Sequence, residues 1–117
     1  MNAAVMKRPL RILIVESCDF QRLMIEKIFN QLGCYSVAPI ASLEQFFTYI
    51  RYAYHPFDIV LINHQMAIQE GVDIRGYCSG NDSVRNFLIY RSSEISILNL
   101  AALRDHSYPE GTTLHFK

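Results

Sequence analysis

Two short stretches, Leu10 to Val15 and Phe57 to Ile62, are apolar at nearly every position rather than at alternate ones. A strand with one wet face alternates, so a continuous apolar run of this length reads as a strand covered on both faces. Covering both faces requires helices on each side of a sheet, and the residues between the runs supply them. Phe20, Leu23, Met24, Ile28 and Leu32 recur at helical spacing, and Gly33 follows where a helix ends in a left-handed residue. Asp19, just before this pattern, reads as its N-cap. Tyr35 to Ile40 is a second strand, and Ser42 with Gln45 three residues on forms a capping box that opens a helix through about Tyr54. A short helix around Val72 to Cys78, a strand from Phe87 to Tyr90, a helical stretch near Ile95 to Arg104 and a last strand from Thr112 to Phe116 complete the alternation.

Strands alternating with helices over short connections imply parallel strands with helices on both faces. The expectation is an α/β three-layer sandwich around a parallel five-stranded sheet, with residues 1–9 as a tail and 10–117 as one domain. The 117 residues are 50% hydrophobic and 19% charged, enough apolar surface for a single packed core. Eleven basic and eleven acidic side chains cancel, which argues against a domain that coats nucleic acid or an anionic membrane. Cys18, Cys34 and Cys78 have no CxxC spacing, and with no apolar run long enough for a signal peptide or a span they fit a reducing cytoplasm. His55, His64, His106 and His115 show no metal-ligand spacing, so neither a metal nor a cofactor is expected.

An open α/β sheet places reactive groups outside the carboxyl ends of its strands. Here those ends are Glu16-Ser17-Cys18, Asn63-His64, Ser92-Ser93 and Lys117. Three segments, Arg11 to Glu16, Phe57 to Gly71 and Phe87 to Ser93, together resemble the receiver domain of bacterial two-component response regulators, a flavodoxin-like fold, over about Leu10 to Lys117. Met66 and Gly71 stand at that family's spacing from the third strand. The resemblance implies a pocket of Glu16, Ser17, Asn63, Ser92 and Lys117, but the phosphoacceptor aspartate of the family is Asn63 here and its acidic pair is Glu16 and Ser17. A neutral amide is a poor nucleophile toward phosphorus, and one carboxylate with a hydroxyl and an amide is a weak magnesium site. Ala67 replaces the family's proline and Leu114 its aromatic switch residue.

The reading is therefore a degenerate pseudo-receiver, not an enzyme, that acts in signal transduction through contacts with a protein partner (a kinase, phosphotransfer protein or regulator) or with itself, and not with nucleic acid or membrane. The alternative is a small α/β enzyme or nucleotide-binding protein using the same crevice, although no glycine-rich phosphate loop follows the first strand. Two surfaces offer themselves for protein contacts. Tyr49, Tyr52 and Tyr54 enrich the second helix in residues favoured at interfaces. The family's final helix is missing from this sequence, which leads to the expectation of an open apolar face beside the first helix.

Overall fold

The computed structural model describes residues 9–91 and, by their backbone, 114–116. The first apolar run becomes β1 (Ile12–Val15), every residue of it buried, and the second becomes β3 (Ile59–Asn63). Between them lie α1 (Asp19–Gln31), β2 (Val37–Ile40) and α2 (Leu43–Arg51). After β3 come α3 (His64–Glu70), α4 (Ile74–Ser79), β4 (Asn86–Tyr90) and β5 (Leu114–Phe116). The sheet order is β2-β1-β3-β4-β5. β1 pairs in parallel with β2 and β3, and β3 in parallel with β4.

Side chains alternate across the sheet, and each parity finds its own helices. Leu13, Val15, Val60, Ile62 and Phe87 form one core with Phe46 and Ile50 of α2, Met66 of α3 and Ile74 and Cys78 of α4. Ile12, Ile14, Ile59, Leu61 and Leu88 form the other, under Ile25 and Phe29 of α1. Three layers result. The α2 and α4 helices are further joined by an aromatic group in which Tyr77 meets Phe46 and Phe47 edge-on, at 5.6 and 5.0 Å between ring centroids. Pro39 fits in β2 because this is an edge strand. The carbonyls of Ser36 and Ile40 accept from β1, so the alternate position, Pro39, points its nitrogen away from the sheet.

Four features differ from the sequence expectation. The fifth strand runs antiparallel to β4, with Asn86 paired to Phe116 and Leu88 to Leu114, so the parallel sheet has four strands and not five. Apolar content reports burial and carries no direction, whereas Leu114-His115-Phe116 alternates as antiparallel edge strands commonly do. The polar residues after β3, where the sequence reading placed no helix before Val72, form α3 at once, since Asn63 Oδ1 accepts from the N–H of Gln65 and caps the helix. Asp19 is the first residue of α1 and not its cap. Cys18 holds the cap position without a side-chain bond, and the Asp19 carboxylate pairs instead with Arg22 at 2.6 Å. The face expected to be open beside α1 is covered on β1 and β3, where Ile12, Ile14, Ile59 and Leu61 have no exposed surface because Ile25 and Phe29 lie over them. The side chains of β5 lie outside the described residues, and the exposed apolar side chains in this region are Phe20, Leu23 and Met24 of α1. The helix expected near Ile95 to Arg104 lies outside the described residues.

The capping box holds in modified form. Ser42 Oγ accepts from the N–H of Gln45 at 3.1 Å, while the Gln45 amide oxygen reaches the N–H of Ala41 at 2.8 Å, and the helix ends at Arg51, three residues earlier than expected. At the other end of α3, Gly71 closes the helix in the left-handed region with φ 66°. A β-carbon at Gly71 would meet nothing within 4 Å, so any penalty for a side chain there is one of backbone conformation alone. Gly71→Ala is expected to cost about 1 kcal/mol and Gly71→Asn less, since Asn tolerates this region; urea unfolding of the two variants checks the order.

Candidate functional site

Beyond the paired residues Val15 and Ile62, the next step along the sheet brings Glu16 beside Asn63, and Asn63 in turn is paired with Tyr90. These three residues share the parity of Ile14, Leu61 and Leu88, so they form a polar row directly above the core under α1. All three are buried: Glu16 is 1% exposed, Asn63 8% and Tyr90 1%. The row is bonded throughout. Glu16 Oε1 accepts from the Tyr90 hydroxyl at 2.6 Å and from Asn63 Nδ2 at 2.9 Å, and its Oε2 accepts from the N–H of Cys18 at 3.0 Å.

A carboxylate taken out of water loses several kcal/mol of hydration unless donors replace it, and here three donors converge on its two oxygens. The Asn63 side chain is engaged at both ends, its amide nitrogen with Glu16 and its oxygen with the first turn of α3. Arg22 contributes through the backbone, with Nη1 on the Glu16 carbonyl at 2.9 Å, and so ties the start of α1 to the end of β1. Burial, the hydrogen bond to Glu16 and the charge of Glu16 together push the Tyr90 phenol well above its ordinary value of 10.0, which keeps it a donor.

Of the residues expected in the pocket, Glu16 and Asn63 are brought into contact, and Ser17 is adjacent but exposed. Ser92 lies outside the described residues. So does Lys117, and its expected place at the carboxyl end of the sheet depended on a parallel fifth strand. With β5 antiparallel, Phe116 stands beside Asn86 at the amino end of β4, the end remote from Asn63. Tyr90 was not among the expected site residues. Its signal is present in the sequence as a phenol closing an apolar strand, but only the register sets it opposite Asn63.

Above the row lies a cleft of about 490 Å³ lined by Asn63, His64, Gln65, Ile68 and Arg91. Glu16, 1% exposed, is not part of its lining. Among the described residues no group of three or more His, Cys, Asp or Glu side chains is placed to hold a metal ion, and no helix is long and apolar enough to cross a membrane. The exposed tyrosines are elsewhere. Tyr49, Tyr52 and Tyr54 are 43, 72 and 98% exposed, and the α2 helix carries Tyr52 and Tyr54 toward the amino end of the sheet, where Arg11 bonds the carbonyl of His55. The expected interface and the expected pocket are therefore separate surfaces.

No family model, curated protein or solved structure matches the chain. It is a small α/β domain. Its four parallel strands stand in the order 2-1-3-4, consistent with a flavodoxin-like fold.

Removing the Tyr90 hydroxyl takes one donor from a buried carboxylate. Tyr90→Phe is expected to lower stability by about 1.5–3 kcal/mol at pH 7, read from urea unfolding. The pH dependence has a definite sign. Below pH 10 the phenol is neutral in both states and contributes no slope. Above it the unfolded chain releases the proton while the native state keeps it, so Tyr90 makes stability fall with rising pH, by up to about 1.4 kcal/mol per unit. Tyr90→Phe is expected to remove that share of the alkaline slope, measured by comparing unfolding free energies of the two proteins between pH 9 and 11.

Proposed function

We propose that this domain is a pseudo-receiver of the bacterial response-regulator type that works through protein contacts without aspartyl phosphorylation. The observation that carries the reading is the state of Asn63. It stands at the carboxyl end of the third strand, where the resemblance puts the phosphoacceptor, and its amide is bonded on one side to Glu16 and on the other to the N-terminus of α3. An amide nitrogen lacks the anionic oxygen that attacks phosphorus, and this one is turned inward. Glu16, the one acid retained from the family's acidic pair, has its oxygens bonded to Asn63, Tyr90 and Cys18. Magnesium keeps hard oxygen ligands and several waters, an arrangement a 1%-exposed carboxylate does not provide.

The sheet order and the apolar β1 and β3 support the same reading, and the amide in place of a carboxylate makes the row stable without an ion. The partner in this proposal is another protein, or a second copy of the chain, that reads the surface of the domain rather than its phosphorylation state. An enzyme or nucleotide-binding protein using this crevice has less support. The segment Glu16-Ser17-Cys18-Asp19 has no glycine to admit a phosphate close to the backbone, and the Glu16 carboxylate is buried.

Two measurements test the proposal. Acetyl phosphate, or beryllofluoride with magnesium, is expected to leave the intact mass and the amide shifts of Asn63 and its neighbours unchanged; a stable adduct refutes the reading. Ser17→Asp combined with Asn63→Asp brings two further carboxylates to Glu16, one of them where an amide now stands 2.9 Å away. Like charges at that separation resist joint ionisation, so the variant is expected to melt below the parent and to recover part of the loss when magnesium is added, as followed by thermal unfolding.

A further inference from the structure

The opposite end of the sheet carries a second polar assembly with a different composition. Asp58, 4% exposed at the foot of β3, accepts from the N–H of Arg11 through Oδ2 at 2.8 Å and faces Arg85 Nε through Oδ1 at 3.6 Å. The Arg11 guanidinium is fixed on three sides. Nε donates to the Pro56 carbonyl at 3.2 Å, Nη2 donates to the His55 carbonyl at 3.3 Å, and the plane lies over the Phe57 ring with 4.7 Å from Cζ to the centroid.

These groups border a cleft of about 320 Å³ lined by Pro9, Arg11, Ser36, His55, Pro56 and Arg85. Every polar side chain among the described lining residues can donate a hydrogen bond, and none is a carboxylate. Asp58 stands behind the wall, engaged by Arg11 and Arg85. Arg85 meets it through Nε and keeps its terminal NH₂ groups on a side chain that is 54% exposed, while Arg11 keeps Nη1. Two arginines, one with its guanidinium already immobilised by stacking and by two carbonyls, therefore line one cavity together with a serine and a histidine. A ligand ordered by Arg11 does not have to freeze that side chain, which lowers the entropic cost of binding.

We propose that this cleft binds the phosphate group of a small phosphorylated molecule. Guanidinium groups match phosphate oxygens in pairs, and donors arriving from several elements suit a tetrahedral dianion better than a planar carboxylate. The volume lies at the lower end of small-molecule sites, about 300–1,000 Å³, and leaves room for an organic group against Pro9 and Pro56. The site is at the amino end of the strands, away from the Glu16 row, and stands independently of the pseudo-receiver reading.

The test is an NMR titration of the whole chain with inorganic phosphate, phenyl phosphate and benzoate at constant low ionic strength. The expected result is saturable movement of the Arg11, Ser36 and Arg85 amides with phenyl phosphate, tighter than with inorganic phosphate or benzoate. Arg85→Ala is expected to weaken it about tenfold or more, with Arg85→Lys in between. Arg85→Ala also takes a 3.6 Å partner from buried Asp58, which keeps the Arg11 N–H, so Arg85→Lys and the unchanged remainder of the spectrum separate loss of the ligand contact from a disturbed fold. Absence of saturable shifts, affinity indifferent to both Arg85 variants, or benzoate binding as tightly as phenyl phosphate would each overturn the proposal. The last of these would make the cleft a carboxylate site.

Discussion

A single carboxylate at the end of the first strand sets the conditions that its surroundings have to meet. Glu16 lies where the buried strand leaves the core, and at 1% exposure it cannot draw on water. It needs three donors from three different parts of the chain, and the fold delivers them from β3, from β4 and from the first backbone N–H ahead of α1. Each donor constrains an element. Tyr90 reaches Glu16 only if β4 is in its observed register, Asn63 only if β3 extends one residue beyond the apolar run, and Cys18 only if the chain turns into α1 at once. A buried charge that is satisfied in one arrangement and unsatisfied in its neighbours penalises register errors by more than a hydrophobic contact does.

The amide at position 63 is what makes this economy possible. It donates to Glu16 with its nitrogen and accepts from α3 with its oxygen, two roles that a carboxylate cannot fill together, since an ionised acid has no proton to donate. The same geometry with an acid at position 63 would set two negative charges within hydrogen-bond distance and require a cation or a shared proton between them. The row is thus complete as a structural unit without an ion, and in the proposed reading the domain exchanges phosphoryl chemistry for a fixed surface. The two ends of the sheet then differ in kind. One closes on itself around an anion, and the other leaves guanidinium donors on a cleft.

Much of this was visible in the residue order. The buried strands, the existence of the first helix, the Ser42 cap and the candidate pair Glu16 and Asn63 follow from patterns that depend on nearest neighbours or on a period of three to four. The core face of that helix does not: Phe20, Leu23 and Met24 of the expected stripe are exposed, and Ile25 and Phe29 are the residues buried. What failed did so for identifiable reasons. The α3 helix is seven residues long, too short for a periodicity to declare itself, and its polar first turn Asn63-His64-Gln65 reads as a loop until the Asn63 side chain is seen to cap it. Asp19 has the residue type of an N-cap, yet the chain enters the helix one residue earlier because Glu16 has already taken the N–H of Cys18. An open apolar face was expected on the sheet beside α1, yet Ile25 and Phe29 leave no exposed surface on β1 or β3, and the exposed apolar side chains there are Phe20, Leu23 and Met24 of α1 itself.

By itself the sequence determined that the chain forms a two-sided α/β sheet and that position 63 carries no acid, because burial pattern and side-chain chemistry are local properties of the residues. Tertiary structure alone decided the direction of β5 and the place of Tyr90 in the row. An apolar or alternating strand pairs equally well in either direction as far as its own residues are concerned, and a tyrosine at a strand end is a solvent-facing phenol or a buried donor according to what stands across from it. Both depend on backbone hydrogen bonds and registers between segments separated by tens of residues, such as Asn63 with Tyr90 and Asn86 with Phe116, and no local pattern encodes those pairings.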